Sequence, residues 1–300
     1  MDSATFSPAL SAARQAAGGQ DYPRGAVYMV ATPIGNLADI SLRALHVLEL
    51  ADLVACEDTR HTQQLLRAYG LDKPLLALHE HNEEQAAQTV IGLLAQGQRV
   101  AYVSDAGTPA ISDPGARLAR AAAAQGHRVV PIPGASSVST ALSAAGLDGD
   151  GQFVFEGFLP SKAGERDTAV IALASEPRAV VLLEAPHRIV ALARALAVLG
   201  ERPVTLAREL TKQFEQIATV PAQALAPWLE ADANRQRGEF VLVLHPHAAK
   251  EDDTGLRVLH LLLPELPLKT AVKLAAEITG GSRNALYAAA LALRGEKETS

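Results

Sequence analysis

The stretch Val100–Gly115, VAYVSDAGTPAISDPG, decides how the rest of the chain is read. An apolar run, Val100–Val103, passes into twelve residues crowded with turn formers and small hydroxyls, among them Ser104, Asp105, Gly107, Thr108, Pro109, Ser112 and Asp113. Gly107 can take positive φ or let a ligand approach the backbone, and Pro109 stiffens the chain without offering an N–H. Asp113 reads as an N-cap with Pro114 at the first helical position, opening a helix to about Gln125. Strand, polar loop and helix start together describe the carboxyl edge of an open α/β sheet, where ligands bind. The loop exceeds the roughly 2–6 residues of a bare strand-to-helix connection. Its length favours a ligand-holding loop.

Upstream, strand Val27–Ala31 runs into the loop Thr32–Ile40 (TPIGNLADI), and Ser41 caps a helix. Strands follow at Leu53–Cys56, before EDTRHT (Glu57–Thr62), and at Leu75–Leu78, before HEHNEE (His79–Glu84). Downstream, strand Val129–Pro131 leads into PGASS (Pro133–Ser137), with Ser136 as cap. The alternation predicts a largely parallel sheet over residues 26–147. A Gly/Asp-rich seam, Gly146–Gln152, marks the boundary to a second α/β domain, 148–248. There, strands at Phe153–Glu156, Ala179–Glu184, Val204–Ala207, Gln216–Val220 and Glu239–Leu244 predict a mixed sheet. Pro186 is placed to start a helix. A polar linker, His247–Asp253, precedes residues 254–300, where Leu268–Gly280 and Ser282–Leu293 read as a helix–turn–helix. Residues 1–25, rich in Ala, Ser, Gly and Gln, read as a disordered extension without a signal pattern.

Composition narrows the function. The net charge of −6 over 300 residues argues against non-specific coating of nucleic acid while permitting a local basic surface. Aromatics are only 4%, so Ala, Leu and Val must build the cores. The single cysteine, Cys56, excludes an internal disulfide framework and fits a reducing cytoplasm. No apolar stretch approaches the roughly 18 residues of a membrane span, so no membrane partner is expected. GxxxxGK[ST] is absent, and the first strand–loop–helix lacks GxGxxG, which weakens phosphate-cradle and nicotinamide readings. HEHNE lacks zinc spacing, and no metal is expected. The three small-residue loops after strands point instead to a small-molecule site built from main chain and hydroxyls.

Two charged clusters lie in the second domain, EAPHR (Glu184–Arg188) and ARELTKQFE (Ala207–Glu215). Glu209 and Lys212 share a face if that segment is helical; Arg208 and Lys212 share one if it is extended. A surface salt-bridge network competes with a proton-handling cluster facing a cleft.

Taken in order, VATPIGNLADISLRAL, CEDTRHT, HEHNE, VSDAGTPAISDPG, PIPGASSVSTAL, FEGFLPSKAGER, EAPHR, ARELTKQFE and RGEFVLVL resemble the small-subunit ribosomal RNA methyltransferase I family. That family lies within the tetrapyrrole-methylase-like (class III) S-adenosylmethionine methyltransferases. The resemblance spans about Val27–Leu244, and the C-terminal helices resemble the family's helix–turn–helix appendage. LLEAPHR departs from it, lacking an aromatic before the glutamate. The resemblance implies two α/β domains with S-adenosylmethionine between them and a homodimer. It also implies 2′-O-methylation of a cytidine in the decoding region of 16S rRNA within the 30S subunit. Carried over by position, the cofactor residues are Ile34, Asp105, Thr108, Ser136, Ser137, Leu183, Glu239 and Phe240.

A ribose hydroxyl is a poor nucleophile and needs a base, or a cation beside the developing alkoxide. Lys212, Glu209 and Glu57 are the leading catalytic candidates, with Arg208, Asp58 and His81 behind them. Two other readings compete: a tetrapyrrole (precorrin-like) C-methyltransferase, which needs a large apolar cleft, and a non-enzymatic ribosome-assembly factor that keeps the cleft without chemistry.

Overall fold

The computed structural model describes residues 7–148, 150–247 and 254–297. They form two compact units: one runs to Ala174 and resumes over Arg178–His245; the other comprises Ser175–Pro177 and the chain from Pro246 onward.

The larger unit holds two five-stranded sheets. The first contains β1 (Ala26–Val30), β2 (Leu53–Cys56), β3 (Leu75–Ala77), β4 (Val100–Val103) and β5 (Arg128–Ile132). Their order is β3-β2-β4-β1-β5, and every pairing is parallel. After β1 the chain crosses to one side of the sheet, and after β4 to the other. The crevice between these adjacent strands is therefore the topological switch point. Both faces are covered, which is why the strands read as continuous apolar runs without alternation. Helices α1 (Ser7–Ala17), α2 (Leu42–Leu50) and α3 (Thr59–Ala68) bury Leu45, Leu48 and Leu66 against Val30, Val54 and Val103. On the opposite face α4 (Glu83–Ala95) and α5 (Ala116–Ala124) bury Val90, Leu94 and Leu118 against Val27, Val100 and Tyr102. Each such side chain contributes about 1.5–3 kcal/mol on burial.

Helix α6 (Ser137–Ala144) leaves the first sheet and packs on the second, its Ala141 meeting Val181, Val241 and Val243. The second sheet contains β6 (Phe153–Phe158), β7 (Ala179–Glu184), β8 (Pro203–Arg208), β9 (Gln216–Pro221) and β10 (Phe240–Leu244). Their order is β6-β7-β10-β8-β9, parallel only at β6/β7. A bulge at Glu156 breaks the β6 register and turns Gly157, at φ 66°, toward Ser112. Helices α7 (Ala163–Leu173), α8 (Ile189–Leu196) and α9 (Ala222–Glu230) cover its other face.

The smaller unit contains α10 (Thr254–Leu262), α11 (Leu268–Thr279) and α12 (Arg283–Lys297) around Leu259, Val272, Ala275 and Leu286. The sequence showed the last two helices; α10 is additional. Gly280, at φ 71°, ends α11 by donating its N–H to Ala276 O at 2.8 Å. Lys269, Lys273 and Arg283 are exposed.

Several local expectations are corrected. The extension read as disordered is helical over Ser7–Ala17, because Leu10, Ala13 and Ala17 form a stripe at helical spacing that buries against α2. Arg14 adds an ion pair with Glu49. Residues 1–6, and the predicted linker from residue 248 to 253, lie outside the described residues. Asp113 and Pro114 do not open α5, which starts at Ala116 after Gly115 at φ 117°. A remote carboxylate does the capping: Glu83 Oε1 accepts from the N–H groups of Gly115 (3.0 Å) and Arg117 (3.1 Å). Pro186 lies in a turn, and α8 starts three residues later.

Ala13 is fully buried. Ala13→Asp places an unpaired carboxylate between α1 and α2 and lowers stability by about 2–3 kcal/mol, read as a reduced urea midpoint. An unchanged midpoint would show that α1 does not pack there in solution.

Candidate active site

Three loops meet at the carboxyl ends of β1, β4 and β5. Thr32 and Gly107 exchange both backbone hydrogen bonds, at 2.9 and 3.0 Å, so the first two loops are zipped together. Thr108 Oγ1 donates to Ala135 O at 3.1 Å, tying the second loop to the third. A Cβ on Gly107 would press Ile34 at 3.3 Å, and one on Gly134 would press Ala31. The small residues that mark these loops in sequence are therefore demanded by close approach. Ala110 and Ser112 hold positive φ without being glycine, at 66° and 61°. Such conformations cost energy and concentrate at functional sites.

Three adjoining cavities open where these loops face the second sheet. One of about 320 Å³ is lined by Ile34, Asp105, Thr108, Ser136, Ser137, Leu183 and Glu239, and by Glu57. A second, about 290 Å³, lies between Leu183, Glu184, Ala207, Leu210, Phe240 and Val241. The third, about 370 Å³, is walled by Gly35, His61, Gln64, Leu65 and Lys212. Ile34 borders all three, and Glu239 does too. The structure thus brings together every cofactor residue expected from the sequence, together with Lys212 and Glu57.

Lys212 lies in neither of the two conformations considered from sequence. ARELTKQFE is the end of β8 and a tight hairpin loop, with Glu209 and Thr211 at φ 53° and 67°. This folding turns the Lys212 ammonium onto two carboxylates, Glu209 Oε1 at 2.9 Å and Glu239 Oε2 at 3.1 Å. Glu209 also accepts from the Glu239 N–H at 3.0 Å. Any Cβ on Gly238 would collide with the Glu209 carboxyl, and any on Gly35 would collide with the Lys212 chain. Glu209 therefore stands behind Lys212, and Lys212 lies across the first loop. Burial opposes charge on both, but their mutual hydrogen bonds prevail. The Lys212 ammonium is held above its usual range and the Glu209 carboxyl below its own.

A second cluster in the cleft, Glu57, Asp105 and Asp113, is acidic and behaves differently. Burial raises the Glu57 carboxyl above its usual range, and the nearby Asp105 and Asp113 charges add to the effect. Burial likewise raises Asp113 despite a hydrogen bond with Ser104. Asp105 Oδ1 accepts from the Asp58 N–H at 3.2 Å, joining the loops after β2 and β4. The remaining charged candidates serve local structure. Asp58 caps α3 through the Arg60 N–H at 2.8 Å and pairs with the Arg60 guanidinium. His81 lies 3.4 Å from Glu80 and borders none of the three cavities. Arg208 donates to Arg237 O at 3.2 Å.

Residue-level reading missed Glu184. Its side chain is fully buried at the end of β7, with Oε1 accepting from the Ala185 N–H at 2.8 Å and lying 3.0 Å from Arg188 Nε. Its other oxygen, Oε2, is buried without a hydrogen-bond partner among the described residues, beside a mostly apolar cavity. EAPHR at a strand end was the visible signal; burial of the glutamate was not.

Over residues 26–226 the chain matches the family described as Tetrapyrrole (Corrin/Porphyrin) Methylases. The chain belongs to that family. Residues 248–294 match the RsmI C-terminal HTH domain. The chain is 51% identical over 280 residues to ribosomal RNA small subunit methyltransferase I of Escherichia coli O157:H7, covering 92% of this chain and 98% of that one. The namesake from Pseudomonas aeruginosa is also 51% identical, over 91% and 99% of the two chains. Among solved structures, uroporphyrin-III C-methyltransferase of Thermus thermophilus superposes with a TM-score of 0.53 at 25% identity, covering 74% of this chain and 94% of that one. Within the tetrapyrrole methylases, the chain therefore belongs to the ribosomal RNA small subunit methyltransferase I branch. It is an S-adenosylmethionine-dependent methyltransferase.

The raised Glu57 carboxyl fixes a sign. Between 4.5 and its raised value the folded state binds more protons than the unfolded one, so stability is lost as pH rises through that window. Glu57→Gln removes this cost. It stabilises the protein at pH 7 by a few tenths to about 1 kcal/mol, solvent screening keeping the gain small, and the difference closes below pH 4.5. Thermal melts at the two pH values test this; an equal gain at both would refute the assignment.

Proposed function

We propose that the three-cavity cleft binds S-adenosylmethionine and delivers its methyl group to the ribose 2′-hydroxyl of a cytidine in the decoding region of 16S rRNA, within the 30S subunit. The observation that carries this reading is the convergence of a clamped ammonium, Lys212, and a carboxylate of raised basicity, Glu57, on cavities that share Ile34, Asp105 and Glu239. The homodimer and the cytoplasmic setting belong to the same proposal, supported by the family resemblance and by the single buried thiol. Among the described residues no helix is long and apolar enough to cross a membrane.

The donor's chemistry suits the lining. The 290 Å³ cavity is mostly apolar, with one unsatisfied carboxylate oxygen, Glu184 Oε2. That combination fits an adenosine, whose ring buries while its amine or hydroxyls donate. Phe240 and Leu183 supply the apolar walls. The 320 Å³ cavity carries Asp105, Thr108, Ser136 and Ser137 and fits the zwitterionic methionine end. Ser136 precedes α6 at its N-cap position without using its hydroxyl as a cap, so that group is free for a ligand. The Thr108 hydroxyl is spent on Ala135 O, so Thr108 contributes shape.

When bound, S-adenosylmethionine supplies an electrophilic methyl carbon and leaves as S-adenosylhomocysteine after in-line attack by the ribose oxygen. The protein must align the two and manage one proton. Lys212 is ill suited as the base, because two carboxylates hold it protonated; it stabilises the oxyanion, with Glu209 fixing its position. Glu57 is the group suited to accept the proton, its basicity raised by burial. A tetrapyrrole substrate is disfavoured by the charged walls of the third cavity, and a non-enzymatic role by the intact cofactor loops.

Lys212→Ala leaves calorimetric affinity for S-adenosylhomocysteine within about threefold, while single-turnover methylation of 30S subunits falls by about a hundredfold or more. A near-normal rate would restrict Lys212 to a surface ion pair. The C-terminal helices, with exposed Lys269, Lys273 and Arg283 in an acidic protein, suit docking on RNA phosphates. Removing residues 248–300 keeps S-adenosylhomocysteine affinity and reduces 30S methylation. Parallel loss of both would make these helices a structural cap.

A further inference from the structure

The donor placement proposed above leaves the 370 Å³ cavity to another occupant, and much of its lining belongs to it alone. Helix α3 presents His61, Gln64, Leu65 and Ala68 to it, the i, i+3, i+4, i+7 stripe of one helix face. An adjacent face of α3 is committed to the core through Thr62 and Leu66. Leu65 and Ala68, with Pro33 and Leu37 of the first loop, make an apolar floor. His61 and Gln64 are exposed, and neither side chain has a hydrogen-bond partner among the described residues. Lys212 also lines it, and Ile34, Asp105, Ala106 and Glu239 form a wall common to this cavity and the 320 Å³ one. α3 contains Arg60 and Arg67 and no acidic residue, in a chain of net charge −6.

We infer that this cavity receives the target nucleotide, turned out of the RNA, with Gln64 and His61 meeting the polar edge of its base and Lys212 beside its ribose. The inference rests on the RNA reading above and deepens it. A base needs a flat apolar surface and a few donors and acceptors at its rim, and the α3 face provides both. A glutamine amide offers a donor and an acceptor together, which matches the edge of a cytosine or adenine. Arg67, exposed one turn beyond Gln64, is placed to meet a flanking phosphate, the contact that positions RNA without reading it. The common wall puts the ribose within reach of the donor's methyl group. The carboxylates behind Lys212 keep its ammonium from collapsing onto the RNA backbone.

Steady-state methylation of unmodified 30S subunits tests the assignment with three variants, alongside calorimetry with S-adenosylhomocysteine and melting temperatures. Gln64→Ala removes the base contact, Leu65→Trp fills the cavity, and Gln63→Ala alters an exposed neighbour that borders none of the three cavities. Gln64→Ala and Leu65→Trp are expected to lower kcat/KM tenfold or more, with S-adenosylhomocysteine affinity within twofold of wild type and Gln63→Ala unaffected. Wild-type kcat/KM in both cavity variants overturns the inference, as does a parallel loss of S-adenosylhomocysteine affinity, which would assign the cavity to the donor. A wild-type protein that binds S-adenosylhomocysteine yet leaves 30S subunits unmethylated overturns the RNA reading itself, and this inference with it.

Discussion

The pair of backbone hydrogen bonds between Thr32 and Gly107 is the constraint on which the cleft depends. Parallel strands that diverge at a switch point leave their following loops without partners, and buried amides there would be costly. Here the two loops satisfy each other. Their residues must be small enough for the backbones to touch, and the third loop joins through the Thr108 hydroxyl. The same contacts set Ile34 at the junction of all three cavities.

A second layer of order comes from charge. Lys212 belongs to the β8–β9 hairpin loop of the second sheet but lies over Gly35 of the first loop, so it is both part of the cavity wall and a strap across it. Glu209 and Glu239 hold it from behind. The acidic group of Glu57, Asp105 and Asp113 is partly buried; that burial raises Glu57 and Asp113, and neighbouring negative charge adds to it. The cleft thus fixes one positive charge firmly and also holds two carboxyls, Glu57 and Asp113, whose basicity is raised.

The strands were legible in the sequence because each is an apolar run bounded by turn residues. The loops were legible because Gly107, Pro109, Ser136 and their neighbours suit nothing else. What escaped depends on long-range contacts. Glu83 caps a helix that begins thirty-three residues later, at Ala116, so local cap rules chose Asp113 instead. α1 hid because Ala-rich, Ser-rich composition resembles a disordered tail, although Leu10, Ala13 and Ala17 already carried the helical period. The Lys212–Glu209 contact was foreseen as a pair but not in its geometry, since positive φ at Glu209 and Thr211 leaves no trace in periodicity. Beyond His61, which lies in EDTRHT, the α3 face went unread because Gln64, Leu65 and Ala68 are ordinary helix residues until the hairpin of the other sheet arrives beside them.

Helix α6 has a kinetic consequence. It starts from the last loop of the first sheet and spends its buried face on the second, with Ala141 fully enclosed among Val181, Val241 and Val243. Two halves joined through such a shared element cannot swing apart without opening apolar surface to water. Ligand entry and product escape then proceed by rearrangement of side chains and loop tips at the mouth, Phe158 and Ile111 being the large exposed ones there. A binding site of this kind incurs little ordering entropy when its ligand arrives. Its association rate should therefore follow ligand concentration linearly, without the plateau that a slow hinge imposes.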